Sequence, residues 1–223
     1  MSRGALAFWA DVAAEGEDDF NEWYFREHIP DRLGHPGFRS GRRYRAVSGG
    51  PRYMALYETD SLDVLRSPEY VALLENPTPW TQRVMPHCHN TVRTIGTVRH
   101  SVGLGFGTAV TAYRLAVGDE HAETFLSWLR DTAFPATVAE PQVVAARVWQ
   151  ADPSITSMAT KEKEFRSQPD AIASWIILVE AMSEHATHDA CRKHLSESAM
   201  RTHGAMSGSI RSGVYQMLFG LEG

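Results

Sequence analysis

Apolar positions along the chain follow the periods of strands and helices, and they do so twice in the same order. The first unit predicts strands at 6–12, 38–47, 53–58 and 89–97, with helices at about 18–29 and 61–76. The second predicts strands at 109–117, 142–150, 172–180 and 209–218, with helices at 119–134 and 183–195. A polar insertion at 153–170 separates the middle strands of the second unit and is typical of a mobile loop or lid.

An internal repeat supports this interpretation. Five residues of the first unit recur at a constant interval of 105 positions (125 − 20), the pairs being Phe20 and Phe125, Trp23 and Trp128, Pro30 and Pro135, Pro36 and Pro141, and Arg42 and Arg147. A constant offset through a helix and the next strand indicates two copies of one supersecondary unit. We therefore predict units at 1–100 and 101–223, joined by a flexible connection at the glycine-rich stretch 103–107.

The element order of each unit, βαββαβ, is that of a ferredoxin-like fold, with both helices on one face of an antiparallel sheet. The other face of each sheet needs a cover, and Val143–Trp149 is apolar on both alternating faces. Two copies in one chain can cover each other. The predicted fold class is α+β, with tandem ferredoxin-like repeats that form a closed barrel within one chain.

Composition limits the function further. The chain has 223 residues, 43% of them hydrophobic and 22% charged, and a formal charge of −5, which argues against a nucleic-acid partner. Two cysteines suggest a reducing compartment, and the apolar run Trp175–Val179 is too short to cross a membrane. The sequence thus predicts a cytoplasmic protein with a small-molecule substrate and no membrane partner, and it leaves homo-oligomerisation, such as a homodimer, open.

The segment Trp23–Arg32, with the sequence WYFREHIPDR, precedes a Pro36–Gly37 turn and a strand that carries Arg43 and Tyr44. In these features the chain resembles the dimeric α+β barrel superfamily and, within it, the EthD-like branch. The resemblance covers the first half directly and the second through the repeat. It implies an α+β barrel but no single reaction, because relatives include muconolactone isomerases, cofactor-free monooxygenases, polyketide cyclases and haem proteins such as chlorite dismutases.

His28 is the first candidate catalytic residue. Aromatic and titratable residues share one side of the first helix, namely Phe20, Trp23, Tyr24, Glu27, His28 and Asp31. At the end of this helix His28 would have its protonated form stabilised, and Glu27 or Asp31 could orient its ring. The structural alternative is a histidine that caps the helix end. The second copy has Ala133 at this place, so we expect an asymmetric site in the first half.

Arg42 and Tyr44 are the other candidate catalytic residues. The alternation of the strand predicts that they share a face with Phe38 and Ser40, from which either could stabilise an enolate. Because Arg42 and Glu58 recur as Arg147 and Glu180, we also predict one structural cross-strand ion pair in each unit. Arg93 and Arg211 receive the same two interpretations, structural pairing or anion binding.

Neither His87 and His89 nor His185 and His188 have a third ligand at a recognisable spacing, so no metal or other cofactor is expected.

The leading hypothesis is a cofactor-independent enzyme that moves a proton on a small aromatic, lactone or polyketide-like carbonyl compound, as an isomerase, cyclase or monooxygenase. His28, Tyr44 and Arg42 would be catalytic. The substrate-binding candidates are Trp23, Tyr24, Phe38 and Trp80, although Trp80 and Tyr70 are also typical core residues. The alternatives are a haem protein, by analogy with the superfamily and with His185, His188 or His194 as ligand, and a non-catalytic binding or assembly module.

Overall fold

The computed structural model describes residues 2–166 and 168–223, and the strands of this part of the chain close into one antiparallel barrel. They are β1 (Gly4–Val12), β2 (Phe38–Gly49), β3 (Tyr53–Thr59), β4 (Cys88–Gly103), β5 (Ala109–Leu115), β6 (Val143–Ala151), β7 (Trp175–Ala181) and β8 (Arg211–Glu222). Their order around the barrel is β1–β3–β2–β8–β5–β7–β6–β4. Each half contributes a four-stranded ferredoxin-like sheet, and β2–β8 and β4–β6 are the seams between them. The predicted α+β fold class is confirmed.

Helices cover the outer faces of both sheets. They are α1 (Glu17–Trp23), α2 (Ile29–Leu33), α3 (Pro68–Glu75), α4 (Pro79–Val84), α5 (Ala122–Trp128), α6 (Phe134–Val138), α7 (Pro153–Thr156), α8 (Lys161–Glu164), α9 (Glu184–His194) and α10 (Glu197–Thr202). The Ser67 hydroxyl accepts from the Tyr70 amide at 3.2 Å, so Ser67 caps α3 as predicted. Gly37 has a φ of +90° in the turn before β2, a conformation that favours glycine.

Pro30 predicts that the first helix either ends or kinks at Ile29, and in the structure it does not end there. A π-helical turn, Tyr24–His28, joins α1 to α2, and the helix resumes through Leu33. The same turn recurs at Leu129–Ala133, before Pro135. Proline lacks an amide proton and its ring crowds the preceding helical turn, and the wider π turn relieves that conflict without ending the helix.

Two strands at the seams are also longer than the sequence predicts. β4 and β8 run to Gly103 and Glu222, where their last residues pair with β6 and β2 of the other half. The sequence pattern of one unit does not reveal this pairing, because the partner strand lies in the other unit. The division of the chain at 1–100 and 101–223 stays a prediction.

Alternate residues of each strand serve two different cores. In β1, Leu6 and Phe8 pack under the helices of the first half, whereas Ala7 and Trp9 face the barrel interior. The equivalent helix-facing core of the second half includes Phe125 and Trp175. The sheets thus meet face to face within one chain.

The insertion at 153–170 crosses from the second half onto the first. Ile155 packs in the core of the first half, and the Thr156 hydroxyl donates to the Ile95 carbonyl at 2.8 Å. The Ala171 amide donates to the Thr91 carbonyl at 2.9 Å. These contacts hold α7 and α8 over the outer face of the first sheet, beside the helix that carries His28.

Candidate functional site

His28 is the last residue of the π-helical turn and is 9% exposed. Its ring lies 4.2 Å from Trp23, 4.9 Å from Tyr24 and 6.3 Å from Tyr57, measured between ring centroids. The π turn follows directly on the aromatic side of α1, so it sets the imidazole among the rings of the helix-facing core. π-helical turns are frequent at functional sites.

A small enclosed cavity of about 20 Å³ lies beside this ring, between the first sheet and the elements that cover it. That volume accommodates roughly one water molecule. The apolar part of its wall consists of Leu6, Phe8, Phe38 and Met85. The polar part combines His28 and the phenols Tyr24, Tyr57 and Tyr70 with four charged groups, Arg32, Arg93, Glu162 and Arg166.

Burial, followed by the nearby Arg32, holds the pKa of His28 well below its usual value of 6.5, and Glu162 acts in the opposite direction. The imidazole is therefore neutral at pH 7 and able to accept a proton. This reverses the expectation that the helix end would favour the protonated form. Within residues 2–166 and 168–223 the ring makes no hydrogen bond, and Glu27 instead accepts from Trp23 Nε1 at 3.1 Å.

Two phenols face the same cavity as proton donors. Burial raises the pKa values of Tyr24 and Tyr57, so both hydroxyls stay protonated. The Tyr57 hydroxyl is fully buried and has no hydrogen-bond partner in the described part of the chain. An unsatisfied buried hydroxyl is costly, and in a native site it calls for a partner such as a ligand or a water molecule.

A network of ion pairs, one of which joins the two halves, forms one wall of the cavity. Arg32 Nη2 lies 2.5 Å from Glu162 Oε2, and Arg166 contacts both Glu162 at 3.4 Å and Asp170. Burial disfavours the charge on Glu162, but the basic side chains around it, Arg32 first, outweigh burial and lower the pKa of this carboxyl to about 2. The insertion therefore closes the first-half cavity with ionised side chains.

The structure brings some predicted substrate-binding residues to the cavity and not others. Tyr24 and Phe38 line it. Trp23 does not line the cavity; it packs against the ring of His28, and its Nε1 donates to the Thr81 hydroxyl at 3.2 Å. Trp80 donates to Asp19 at 2.9 Å on the outer side of the helices, so it supports the helix layer and does not line the cavity.

Arg42 and Tyr44 lie on the opposite face of the first sheet from His28. A β-bulge between Phe38 and Ser40 puts Phe38 on the helix side, whereas Tyr44 packs in the barrel interior. Phe38 therefore does not share the expected face with Ser40, Arg42 and Tyr44, and for Phe38 the prediction is wrong. The Tyr44 hydroxyl accepts from Arg42 Nη1 at 3.1 Å, and both side chains are buried. From there neither can reach an enolate formed at His28.

The predicted ion pairs of Arg42 and Arg147 are both present, and they merge into one cluster. Arg42 lies 3.4 Å from Glu58, and Arg147 contacts Glu180. Cross pairs connect the halves, with Arg42 at 3.0 Å from Glu180 and Arg147 at 3.6 Å from Glu58. Phe106 of the glycine-rich connection stacks on Arg42 at 3.8 Å. This arrangement supports the structural interpretation of Arg42.

No group of three or more His, Cys, Asp or Glu side chains in the described residues is placed to hold a metal ion. His185 and His188 are mostly exposed and lie beside Asp189, and His194 lies 2.9 Å from Glu140. His188 borders an open groove of about 510 Å³ between α9 and the second sheet. Haem ligation needs an imidazole inside an enclosing, mostly apolar pocket, and these exposed, paired side chains do not fit that requirement.

In the second half, Ala133 occupies the place of His28 and packs in the core. Sequence reasoning therefore located the asymmetry but missed several residues around it. Tyr57 was missed, although it alternates onto the helix side of its strand, as does Arg93, and the sequence does carry that signal. Glu162 and Arg166 could not be found this way, because their approach to Arg32 depends on how the insertion docks.

No protein-family model matches the chain, and no curated protein matches its sequence. Solved structures do match its fold. An anthrone oxidase-like protein aligns over 99% of this chain and 93% of its own, at 13% identity and a TM-score of 0.66. A protein described as a candidate monooxygenase from Lactobacillus acidophilus aligns over 100% and 97%, at 7% identity and a TM-score of 0.64.

A haem-binding protein from Thermus thermophilus aligns over 98% of this chain and 92% of its own, at 10% identity and a TM-score of 0.52. Together with the barrel topology, these similarities show that the chain has the dimeric α+β barrel fold, with both sheets in one polypeptide. Assignment to the EthD-like branch stays a prediction. None of the described helices combines the length and apolar character that a membrane span requires.

Proposed function

We propose that this protein is an enzyme that binds a small enolisable aromatic carbonyl compound beside His28 and removes a proton from it. One observation carries the proposal. A buried, neutral imidazole without a hydrogen bond to the described residues lies in the same enclosed cavity as the unpartnered hydroxyl of Tyr57. A base and a hydrogen-bond donor that face one buried cavity are the two groups that enolisation needs.

The reaction step follows from these groups. An imidazole nitrogen of His28 takes the proton from the carbon next to the carbonyl, and the electron pair of that C–H bond moves to the carbonyl oxygen. The Tyr57 hydroxyl donates a hydrogen bond to the resulting enolate oxygen. Glu162 offsets the positive charge that develops on the imidazole. Isomerisation, cyclisation and oxygenation by dioxygen all begin with this step.

Access to His28 requires a movement of the cavity wall, because the closed cavity holds only about one water molecule. The insertion is the wall most suited to move, since side chains of α8 close the cavity from the other half of the chain. Closure after binding would exclude water and strengthen electrostatic interactions within the site.

The name of one structural neighbour, anthrone oxidase-like, agrees with this chemical class, since anthrone is an aromatic ketone with an acidic CH2 group. At 13% identity the likeness supports the fold, and the class of substrate rests on the residues around His28.

Deuterium exchange tests the proposed step without an oxidant. We would incubate anthrone and phenylpyruvate anaerobically in D2O and follow loss of their CH2 proton signals by NMR. The wild-type protein should accelerate exchange of at least one compound, and His28→Gln should reduce that acceleration about 10²- to 10⁴-fold with its melting temperature retained. His121→Gln changes an exposed histidine of the second half and should have no effect. Undiminished exchange in folded His28→Gln protein would refute the assignment.

A further inference from the structure

Arg93 differs from the other arginines around the cavity. It lies on β4 opposite Phe8, is 5% exposed and lines the cavity. Arg32 and Arg166 each contact a carboxylate. Across residues 2–166 and 168–223, no carboxylate lies within ion-pairing distance of the Arg93 guanidinium, which also makes no side-chain hydrogen bond there. The other arginine given the same two interpretations from sequence, Arg211, is exposed and donates to the Gly208 carbonyl at 2.8 Å.

Charge near the cavity is unbalanced as a result. Three guanidinium groups line it, those of Arg32, Arg93 and Arg166, and two carboxylates, Glu162 and Asp170, pair with two of them. Lys163 adds positive charge nearby, although burial and then Arg93 lower its pKa to about 8. Glu162 is close enough to Arg93 for their charges to interact, but it is paired with Arg32 and Arg166. A buried cation without a direct ion-pair partner is unfavourable, so an anion in the cavity would complete this site.

The rest of the wall indicates what kind of anion fits. Phe8, Phe38 and Tyr70 contribute aromatic surface to the wall of the cavity that Arg93 lines, and aromatic rings pack well on such surfaces. A guanidinium binds a carboxylate through two parallel N–H···O hydrogen bonds.

We infer that the substrate is an aromatic carboxylate whose carboxylate group binds Arg93 while its reacting carbon faces His28. This inference deepens the proposed function and shares with it the movement of the cavity wall, because the closed cavity holds only about one water molecule. Beyond that movement it depends on the proposed function only for the reacting end of the substrate. Carboxylate binding at Arg93 itself requires no catalysis.

The test compares benzoate with benzamide, which have the same ring and differ in charge. By isothermal titration calorimetry the wild-type protein should bind benzoate at least tenfold more tightly than benzamide. Arg93→Gln should abolish that preference. If loss of the charge unfolds the site, Arg93→Lys, which keeps the charge, serves instead and should retain part of the preference. Arg45→Gln, an exposed arginine of the same half, should bind like wild type.

Equal affinity for the two probes, no binding of either, or an unchanged preference in folded Arg93→Gln protein would overturn the inference. His28→Gln separates the two proposals, because it should abolish proton exchange and still bind benzoate. Benzoate binding without exchange would contradict the proposed function alone, and exchange without a benzoate preference would contradict the carboxylate site alone.

Discussion

Arg42 Nη1 donates to Glu180 Oε2 across 3.0 Å, although 138 residues separate them in the sequence. The contact joins β2 of the first half to β7 of the second inside the barrel. Glu180 also accepts from Arg147 and, at 3.0 Å, from the Gly107 amide. One carboxylate thus connects both sheets and the segment between them.

Glu180→Gln should therefore destabilise the whole barrel. Removal of the charge leaves two buried guanidinium groups with reduced compensation, which typically costs about 3–5 kcal/mol. Urea unfolding would measure the loss, and Glu120→Gln, at an exposed position, should change the free energy of unfolding by less than about 0.5 kcal/mol. A loss below about 1 kcal/mol for Glu180→Gln would contradict the structural role of the cluster.

Glu162 predicts a pH-dependent contribution to stability. Its pKa falls from 4.5 to about 2 on folding, so the carboxylate stabilises the folded state above about pH 4.5. That contribution, on the order of 3 kcal/mol, is lost as pH falls from 4.5 towards 2. Glu162→Gln should remove this part of the acid dependence of unfolding, whereas the exposed Glu164→Gln on the same helix should retain it. Identical acid profiles for the two variants would show that the ion pair with Arg32 does not form.

The lowered pKa of His28 predicts that stability also depends on pH in a second, higher pH range. Its folded pKa lies well below the unfolded value of 6.5, so the folded state binds fewer protons and stability falls as pH drops below 6.5. The slope is about 1.4 kcal/mol per pH unit while the buried ring stays neutral. Unfolding of His28→Gln between pH 8 and 5.5 should lack this slope. A histidine NMR titration with a midpoint at or above 6.5, absent in the variant, would disprove the neutral buried ring.

Loss of the Tyr57 hydroxyl should affect stability and activity in opposite directions. Tyr57→Phe removes a buried hydroxyl without a partner among the described residues, so its free energy of unfolding should stay equal or rise by up to about 1 kcal/mol. The same change should slow proton exchange about 10- to 10³-fold, because the enolate oxygen loses its donor. Tyr53→Phe is the matched control, since its hydroxyl contacts Glu17 and Asn21 and its loss should cost about 1 kcal/mol. Unchanged exchange in Tyr57→Phe would remove Tyr57 from the reaction.

The fold followed from the sequence because local periodicity and the constant offset between Phe20 and Phe125 describe the same two units. Cross-strand pairing of Arg42 with Glu58 followed for a similar reason, since both lie in one hairpin. The face of Phe38 did not follow. A single bulge after it reverses the alternation, and no residue type at that position announces the bulge.

The candidate site was only half predictable. His28 stood out because its equivalent, Ala133, cannot titrate. Its neutral state depends on burial beneath an insertion that starts more than a hundred residues later, and periodicity carries no information on that contact. Arg93 was identified as an arginine with two interpretations, and the absence of a carboxylate within ion-pairing distance of its guanidinium in the described residues favours anion binding.

The pH dependence of proton exchange tests whether neutral His28 is the base. If it is, the rate should rise with pH through a single ionisation well below pH 6.5 and be level from pH 7 to 8. The ionisation should vanish together with the exchange in His28→Gln. A midpoint at or above 6.5, or the same profile in the variant as in the wild-type protein, would contradict it.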